Sequence, residues 1–369
     1  MNILMQSRVN IFSDPGGDTI QILKTKECLE KIGCTVAICC DYNINLKEYD
    51  LIHLFNITQI HETYLQYLNA KKQCKPIILS PIYQNFDEQD RRAHAGVVKF
   101  FFRMLSKDWR ELIKTIARAF YDKRLLYSAW KQLLVGFSKQ QKEVLCAAQM
   151  MLPNSQLEAE AIEKDYNINF PYQVVPYAVD HIFLKADESF VNHTGWKDYV
   201  LCVGNFIERK NQLRLIEAMA GLNLPLVLVG AVVSTQKAYY RQVQTSAEKA
   251  DFPVKIITKI PQNDLVPIYS GAKVVALPSW IETCGMACLE GALADCNVVI
   301  TNRGHSKEYF RDMAFYCDPA DVRSIRKALL KAYASNPDGK LKERIFSSFT
   351  WARTAEITKR AYEEVLVNA

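Results

Sequence analysis

Patterns typical of buried β-strands alternate with helical patterns in two separate series, and this alternation limits the fold more than any other feature of the chain. In the first series the strand patterns lie at 2–5, 34–40, 49–55 and 75–80. The second series starts with "YVLCVG" at 199–204 and ends with "CNVVITN" at 296–302. Strands that alternate with helices pair in parallel, so each series predicts one doubly wound α/β unit.

The two series predict a chain of two domains. A length of 369 residues fits two domains at roughly 150 residues each. We place the first domain at 1–178, with a helical insertion at about 88–147, and the second at 179–348. Two such domains are expected to face each other across a cleft, which is a common location for a ligand. The last segment, 349–369, has the pattern of an amphipathic helix that must dock on one of them.

The insertion is strongly basic. Residues 91–142 contain thirteen Lys/Arg and three Asp/Glu, a net charge of 13 − 3 = +10, whereas the whole chain carries +6. Apolar residues recur in this segment three or four positions apart, and basic residues occupy other helical faces. The apolar series is Phe101, Leu105, Trp109, Leu112, Ile116 and Phe120, and the basic series is Arg103, Lys107, Arg110, Lys114 and Arg118.

This mixture of apolar and basic residues is typical of a helix that lies at a membrane interface. It predicts an anionic partner, either a membrane surface or a lipid-diphosphate acceptor. The alternative is that the apolar stripe packs on the first domain while the basic side chains are solvated. Nucleic acid is not expected, because no nucleic-acid-binding motif accompanies the charge.

Eleven cysteines are present, and none has the spacing of a zinc site or of a repeated C-x-x-C pair. We therefore expect free thiols in a reducing cytosol. The first ten residues lack the apolar core of a signal peptide, and no apolar run is long enough to cross a bilayer. These observations predict a cytoplasmic protein, with peripheral membrane attachment left open.

The stretch "LPSWIETCGMACLEGALADCNVVITNRG" combines a strand end, a helix start and two carboxylates. Glu282 follows a strand pattern at the edge where parallel sheets bind ligands. The helix that begins near Gly285 offers free amide groups to an anion. Glu290 lies roughly 7–8 Å further along that helix. A ligand with hydroxyls at both ends and an anionic middle fits this arrangement, and a nucleotide-sugar has that shape.

These residues resemble the donor-site signature of retaining GT-B glycosyltransferases of the large family four. "GGDTIQ" resembles the first loop of that family, and "VGNFIERKNQLRLIEAM" resembles the strand, loop and helix that carry its phosphate-binding lysine. "TWARTAEITKRAYEEVL" resembles its closing helix, which crosses back to the first domain. The resemblance is strong over 199–369, weaker over 1–60 and 148–180, and absent over 85–147.

The resemblance implies a role for each matching residue. Glu282 would hold hexose hydroxyls, Glu290 would accept both ribose hydroxyls, and Lys210 would neutralise the pyrophosphate. The amides around Cys284, Gly285, Met286 and Ala287 would meet sugar and phosphate. Gly16 and Gly17 would close over the phosphates from the first domain. No D-x-D motif is present, so neither a metal nor any other cofactor is expected, and Lys210 with a helix dipole would take the place of Mg²⁺.

Three positions depart from the family pattern. Asn205 stands where the family usually has an arginine, and Arg209 either supplies the missing charge or points away. Cys284 replaces a usual aromatic residue. The family's first-domain histidine has no clear equivalent after "KPIILS". His53 is a candidate on the acceptor side, with a hydrogen-bonded core histidine as the alternative.

The sequence thus predicts a GT-B enzyme that moves a hexose-type sugar from a UDP- or GDP-sugar to a hydroxyl of a glycan or lipid-linked acceptor. Retention of the anomeric configuration is implied by the resemblance alone. Two alternatives remain open: a catalytically silent nucleotide-sugar-binding scaffold and a GT-B nucleotide-sugar epimerase.

Overall fold

The computed structural model describes residues 1–13, 15–92, 105–120, 125–258 and 260–368. The chain divides into two compact units, Met1–Tyr177 with Trp351–Ala369, and Ala178–Thr350. The sequence placed the corresponding boundaries at 178 and 348. The final segment is thus part of the first unit, although it follows the second unit in the chain.

The first unit contains a sheet of five parallel strands in the order β2-β1-β3-β4-β5. The strands are β1 (Asn2–Gln6), β2 (Thr35–Cys39), β3 (Leu51–Phe55), β4 (Ile77–Ser80) and β5 (Met150–Met151). All five residues of β3 are buried, which is expected of a strand in a parallel sheet covered by helices on both faces.

The helices of the first unit begin with α1 (Gly17–Lys31), which follows β1 directly. The others are α2 (Ile60–Lys72), α3 (Asp87–Arg92), α4 (Lys107–Ala119), α5 (Leu125–Val135), α6 (Phe137–Ala147), α7 (Gln156–Tyr166) and the C-terminal α16 (Trp351–Asn368). Apolar residues of α16, among them Ala355 and Tyr362, share one core cluster with Ile3 and Ile22. The C-terminal helix therefore completes the core of the unit in which the chain begins.

The basic insertion is helical where it is described, but the exposure of its apolar and basic side chains differs from the sequence expectation. Leu112 is buried on α4, whereas Trp109, Ile116 and Phe120 are exposed. Arg110, predicted to be a surface cation, is only 3% exposed and pairs with Asp87 Oδ1 at 2.8 Å. That prediction was wrong, because periodicity identifies the faces of a helix but does not tell which face the fold covers. Phe101, Arg103 and the side chain of Arg118 lie outside the described residues.

The second unit contains a sheet of six parallel strands in the order β11-β10-β9-β6-β7-β8. These are β6 (Tyr199–Val203), β7 (Leu226–Val229), β8 (Val254–Ile257), β9 (Ala272–Leu277), β10 (Asn297–Thr301) and β11 (Phe315–Cys317). The predicted doubly wound α/β class is confirmed for both units. The strand order reverses between β6 and β9, which makes their carboxyl ends the switch point of this sheet.

The helices of the second unit lie between and after these strands. They are α8 (Ser189–Thr194), α9 (Gln212–Met219), α10 (Lys237–Glu248), α11 (Val266–Ser270), α12 (Met286–Leu293), α13 (Lys307–Phe310), α14 (Val322–Ala334) and α15 (Lys340–Ser348). Short 3₁₀ turns add to them, and the turn Glu208–Lys210 precedes α9. Within the described residues, no helix has both the length and the apolar composition needed to cross a bilayer. All eleven cysteines are free thiols.

Candidate active site

Two loops meet at the switch point of the second sheet, one after β6 and one after β9. The backbone N–H of Trp280 donates to the carbonyl of Arg209 at 2.8 Å. The side-chain amide of Asn211 donates to the carbonyls of Pro278 (2.9 Å) and Pro319 (3.0 Å). Asn211 is buried and has φ of 61°, a left-handed conformation that asparagine tolerates better than most residues. The turn that carries Arg209 and Lys210 is thereby fixed against the loop after β9.

Three charged side chains converge where these loops meet. Lys210 Nζ donates to Glu282 Oε1 at 2.6 Å, and Arg209 NH1 lies 3.5 Å from the same oxygen. Arg209 NH1 also donates to the carbonyl of Ile281 at 3.2 Å. Glu282 lies 72 positions after Lys210 and 73 after Arg209, and the fold brings the three side chains into one cluster. The guanidinium of Arg209 therefore faces this cluster and does not point away from it, and its role as the charge that replaces the family's arginine stays a prediction.

The charges of this cluster do not cancel. Burial alone would raise the pKa of Glu282, which is 5% exposed. The positive charges of Lys210 and Arg209 and the hydrogen bond from Lys210 outweigh burial, so the pKa of Glu282 is lowered. The carboxylate is therefore ionised at neutral pH. Two cations against one carboxylate leave a net charge of about +1 in a desolvated place, where an anion is stabilised more strongly than in water.

Glycines allow the close approaches on which this cluster depends. A Cβ atom at Gly304 would lie 2.0 Å from the carbonyl oxygen of Glu282, which accepts the backbone N–H of His305 at 2.9 Å. Gly304 has φ of +89°, a region in which other residues are strained. A Cβ atom at Gly204 would lie 3.2 Å from Lys210 Cε. The backbone at Glu282 and the aliphatic stem of Lys210 are therefore packed against positions that have no side chain.

The helix α12 begins beside Glu282 in the sequence. Gly285 caps it with φ of 74°, and its carbonyl accepts the N–H groups of Cys288 (2.8 Å) and Leu289 (3.2 Å). The amides of Met286 and Ala287 come before these intrahelical bonds, at the positive end of the helix. A Cβ atom at Gly285 would lie 2.6 Å from Ile300 Cδ1. The geometry at this helix start is thus suited to an anionic group.

Glu290 lies in the second turn of α12 and is buried. Its Oε2 accepts the hydroxyl of Tyr269 at 2.6 Å, and Tyr269 is itself fully buried on α11. Burial, followed by the charge of Glu290, raises the pKa of Tyr269 well above its ordinary value. Tyr269 therefore remains protonated and acts as a hydrogen-bond donor that orients the carboxylate of Glu290.

The thiols near the site are buried and unreactive. Burial is the main cause that raises the pKa of Cys284 and of Cys288 well above the ordinary range, and it raises that of Cys202 to about 12. A thiol that stays protonated is a poor nucleophile. Cys284 therefore fills its position as a small apolar side chain and is not suited to covalent catalysis.

Backbone groups of Asn205 and of the glycine pair form hydrogen bonds in their loops. The carbonyl of Asn205 accepts the N–H of Ile207 (2.9 Å) and the side-chain amide of Gln212 (3.0 Å). In the first unit, Gly16 precedes α1 and donates its N–H to Thr19 Oγ1 at 3.0 Å, and Gly17 begins the helix. A phosphate role for Gly16 and Gly17 stays a prediction.

The first-unit loop before these glycines is held by an ion pair. Arg8 binds Asp18 through two nitrogens, Nε to Oδ2 at 2.6 Å and NH2 to Oδ1 at 3.1 Å. A guanidinium that binds a carboxylate in this bidentate manner has a fixed orientation. The side chain of Arg8 is therefore occupied in positioning the start of α1.

His53 lies in the interior of the first unit on β3. Its Nδ1 is 2.7 Å from the hydroxyl of Tyr362, and its Nε2 is 2.9 Å from Ser80 Oγ. Burial lowers the pKa of His53 to about 3, so the imidazole is neutral. With both ring nitrogens engaged, His53 matches the alternative of a core histidine. A role toward the acceptor stays a prediction that would require these bonds to break.

Comparisons with known proteins agree with this architecture. Residues 185–346 match the family model described as "Glycosyl transferases group 1". Sucrose-phosphate synthase from Thermosynechococcus elongatus superposes with a TM-score of 0.77 at 15% identity over 100% of both chains. HepE from Anabaena, solved in complex with UDP, has a TM-score of 0.68 at 13% identity, over 99% of this chain and 100% of its own.

A curated relative matches part of the chain. O-antigen chain mannosyltransferase B from Escherichia coli is 26% identical over 143 residues, which span 37% of this chain and 37% of that protein. The fold of this chain is therefore the GT-B fold, as predicted. Residues 185–346 of the second unit, less than half of the chain, are similar to the glycosyl transferases group 1 family.

Proposed function

We propose that this protein is a retaining glycosyltransferase that moves a hexose-type sugar from a nucleoside diphosphate sugar to an acceptor hydroxyl. The observation that carries this proposal is the convergence of Arg209, Lys210 and Glu282 at the switch point of the second sheet, beside the start of α12. A net positive, desolvated cluster next to a helix N-terminus suits a diphosphate. A buried carboxylate in the same cluster suits sugar hydroxyls.

In the proposed reaction, the acceptor oxygen forms a bond to the anomeric carbon on the same face from which the diphosphate departs. The bond between the anomeric carbon and the diphosphate oxygen breaks, and that oxygen takes the acceptor proton. Lys210, Arg209 and the amides of Met286 and Ala287 would stabilise the departing diphosphate, and Glu282 would hold the hexose. Stabilisation of a leaving group by fixed charges is the largest catalytic contribution in many enzymes.

Glu290 would bind the ribose. Its buried carboxylate accepts the hydroxyl of Tyr269 at 2.6 Å, which orients it, and the family resemblance assigns it the ribose hydroxyls. The structure of HepE in complex with UDP supports a nucleoside diphosphate as ligand for this fold. Whether the base is uracil or guanine can be tested by calorimetry with UDP, GDP and ADP. Failure of all three to bind would remove the donor proposal, whereas binding without turnover would favour a silent scaffold.

The acceptor would be a glycan or lipid-linked hydroxyl compound in the synthesis of a surface polysaccharide or glycolipid. The partial match to the O-antigen mannosyltransferase supports this class. A lipid-linked acceptor would place the enzyme at the cytoplasmic face of a membrane as a peripheral protein. An enzyme that converts the donor sugar with no acceptor present would instead support the epimerase alternative.

We expect transfer to persist in EDTA. The proposed leaving-group site contains two cationic side chains and backbone amides, which can neutralise a diphosphate without a divalent ion. The measurement compares the initial rate of nucleoside diphosphate release in EDTA with the rate in added Mg²⁺ or Mn²⁺. Complete loss in chelator, restored by either metal, would show that this description of the leaving-group site is wrong.

We expect the anomeric configuration of the product to match that of the donor. This expectation rests on the family resemblance alone. Proton NMR of the new glycosidic linkage measures the configuration directly. A linkage of inverted configuration would contradict front-face attack.

A further inference from the structure

Two neighbouring helices of the first unit expose a concentration of large apolar side chains. Fifteen large apolar side chains are exposed in the described part of the chain, and nine of them lie between positions 109 and 134. We name these nine the exposed apolar face: Trp109, Ile113, Ile116, Phe120, Leu126, Tyr127, Trp130, Leu133 and Leu134. Such a concentration marks an interaction surface, since scattered single residues would need no explanation.

The exposed apolar face follows the helical repeat. On α4 and the turn after it, the exposed residues lie at 109, 113, 116 and 120, which is a spacing of three or four along one side. The opposite side packs inward through Leu112, Thr115 and Ala119. On α5 the exposed stripe runs through 126, 130, 133 and 134, while Ser128 and Ala129 are buried. Each helix thus packs one side on the first unit and exposes large apolar side chains on another.

The acidic residues of α4 are already engaged within the protein. Asp108 Oδ1 accepts the N–H (2.9 Å) and the hydroxyl (2.6 Å) of Ser138. Glu111 pairs with Lys114 at 2.7 Å. Lys131, on α5, lies over the rings of Tyr127 and Trp130 at 5.7 and 5.5 Å. A cation therefore accompanies the exposed aromatic rings.

We propose that the exposed apolar face is the surface by which this protein docks on an anionic lipid bilayer. Tryptophan and tyrosine with an adjacent lysine favour the interface between acyl chains and headgroups. The net charge of +10 over 91–142 becomes 10 − 1 = +9 once Arg110, which is buried against Asp87, is set aside, and this charge complements anionic headgroups. The same charge opposes a second copy of the chain, because pairing through this face would bring two positive segments together.

The helices would lie along the membrane surface and not cross it. Helix α4 has 13 residues, about 20 Å at 1.5 Å per residue, whereas the bilayer core is about 30 Å thick. The inner sides of both helices stay packed on the first unit, so docking requires no unfolding. This inference deepens the proposed function, since a lipid-linked acceptor is met at such a surface, but its test needs neither donor nor acceptor.

The test is flotation of the full-length protein with liposomes of neutral lipid and of rising anionic lipid content, at low and high salt. The face variant carries Trp109→Ser, Phe120→Ser, Trp130→Ser and Leu134→Ser. The matched control carries Phe346→Ser and Leu330→Ser, two exposed apolar residues of the second unit. We expect wild type and control to float with anionic liposomes, and the face variant to lose binding by about tenfold or more.

Further measurements separate loss of membrane docking from misfolding and from dimerisation. Circular dichroism and thermal unfolding establish that the face variant is folded, and the single variant Leu134→Ser serves if it is not. Light scattering reports whether wild type is a dimer that the face variant disperses. Three results would overturn the docking surface. In the first, wild type stays unbound at every lipid composition, and in the second, the face variant floats as well as wild type. In the third, wild type does not float and is instead a dimer that the face variant disperses. Lys210→Ala should float like wild type, which separates docking from catalysis.

Discussion

Replacing Lys210 by alanine is expected to lower the rate of sugar transfer by about 10²- to 10³-fold, the cost of removing one fixed group that stabilises a developing negative charge. The amine lies 2.6 Å from Glu282 Oε1 and is 14% exposed. Its loss leaves Arg209 as the cation that faces Glu282 in this cluster and reduces the cluster charge by one. The measurement is the initial rate of nucleoside diphosphate release at saturating and at low donor concentrations.

A matched control separates this effect from loss of charge in general. Lys237, at the start of α10 in the same unit, is exposed, and Lys237→Ala should retain full activity. Removing one partner from a buried ion pair also destabilises a fold, so thermal unfolding of Lys210→Ala has to be measured alongside. Lys210→Arg keeps the charge and should recover part of the rate. A folded Lys210→Ala protein with nearly unchanged activity would exclude Lys210 from the leaving-group site.

Replacing Glu290 by glutamine is expected to weaken nucleotide binding about ten- to hundredfold. The substitution removes charge-assisted hydrogen bonds to ribose, each worth roughly 1.5–3 kcal/mol, while it preserves side-chain shape. Calorimetry with the nucleoside diphosphate measures the change directly. Glu248→Gln, at the exposed end of α10, is the control and should bind like wild type.

The contact with Tyr269 offers a second test of Glu290. If Glu290 served only to accept the hydroxyl of Tyr269, at 2.6 Å, Tyr269→Phe and Glu290→Gln would lower thermal stability by similar amounts. Neither variant would then change the nucleotide affinity. We expect Glu290→Gln to reduce affinity more than Tyr269→Phe, because tyrosine acts by orienting the carboxylate. Equal affinities in both variants and in wild type would assign Glu290 to the core.

Strand and helix periodicity was sufficient to predict most strands of both sheets, because a parallel strand buried on two faces reads as a continuous apolar run, but the short edge strand β11 was not predicted. "YDLIHLF" became β3 and "KVVALPS" became β9 on this basis. The same reasoning failed for Arg110, since periodicity identifies the faces of a helix but not which face the fold covers. Leu112 and Trp109 are both apolar, and only the structure shows that Leu112 is the buried one.

The convergence of Arg209 and Lys210 on Glu282 required the structure, because residues 72 positions apart carry no local signal of their contact. The sequence reasoning also missed three supporting residues, Asn211, Tyr269 and Gly304. A faint signal existed for two of them. Asn211 stands directly before the helical pattern of α9, where a capping asparagine is common, and Gly304 stands in a short loop after a strand. No sequence signal distinguished Tyr269, since an aromatic residue in a helix is usually part of the core.

The most direct test of the central claim follows a labelled sugar from donor to acceptor. Wild type is incubated with a panel of UDP- and GDP-hexoses labelled in the sugar, with and without glycan and lipid-linked acceptors. Released nucleoside diphosphate and labelled acceptor are both quantified. We predict that donors with one of the two bases release nucleoside diphosphate and that labelled acceptor forms in equal amount, in wild type and in Lys237→Ala but not in Lys210→Ala. Donor binding with neither release nor labelled acceptor, across the whole panel, would contradict the claim that this protein transfers sugars.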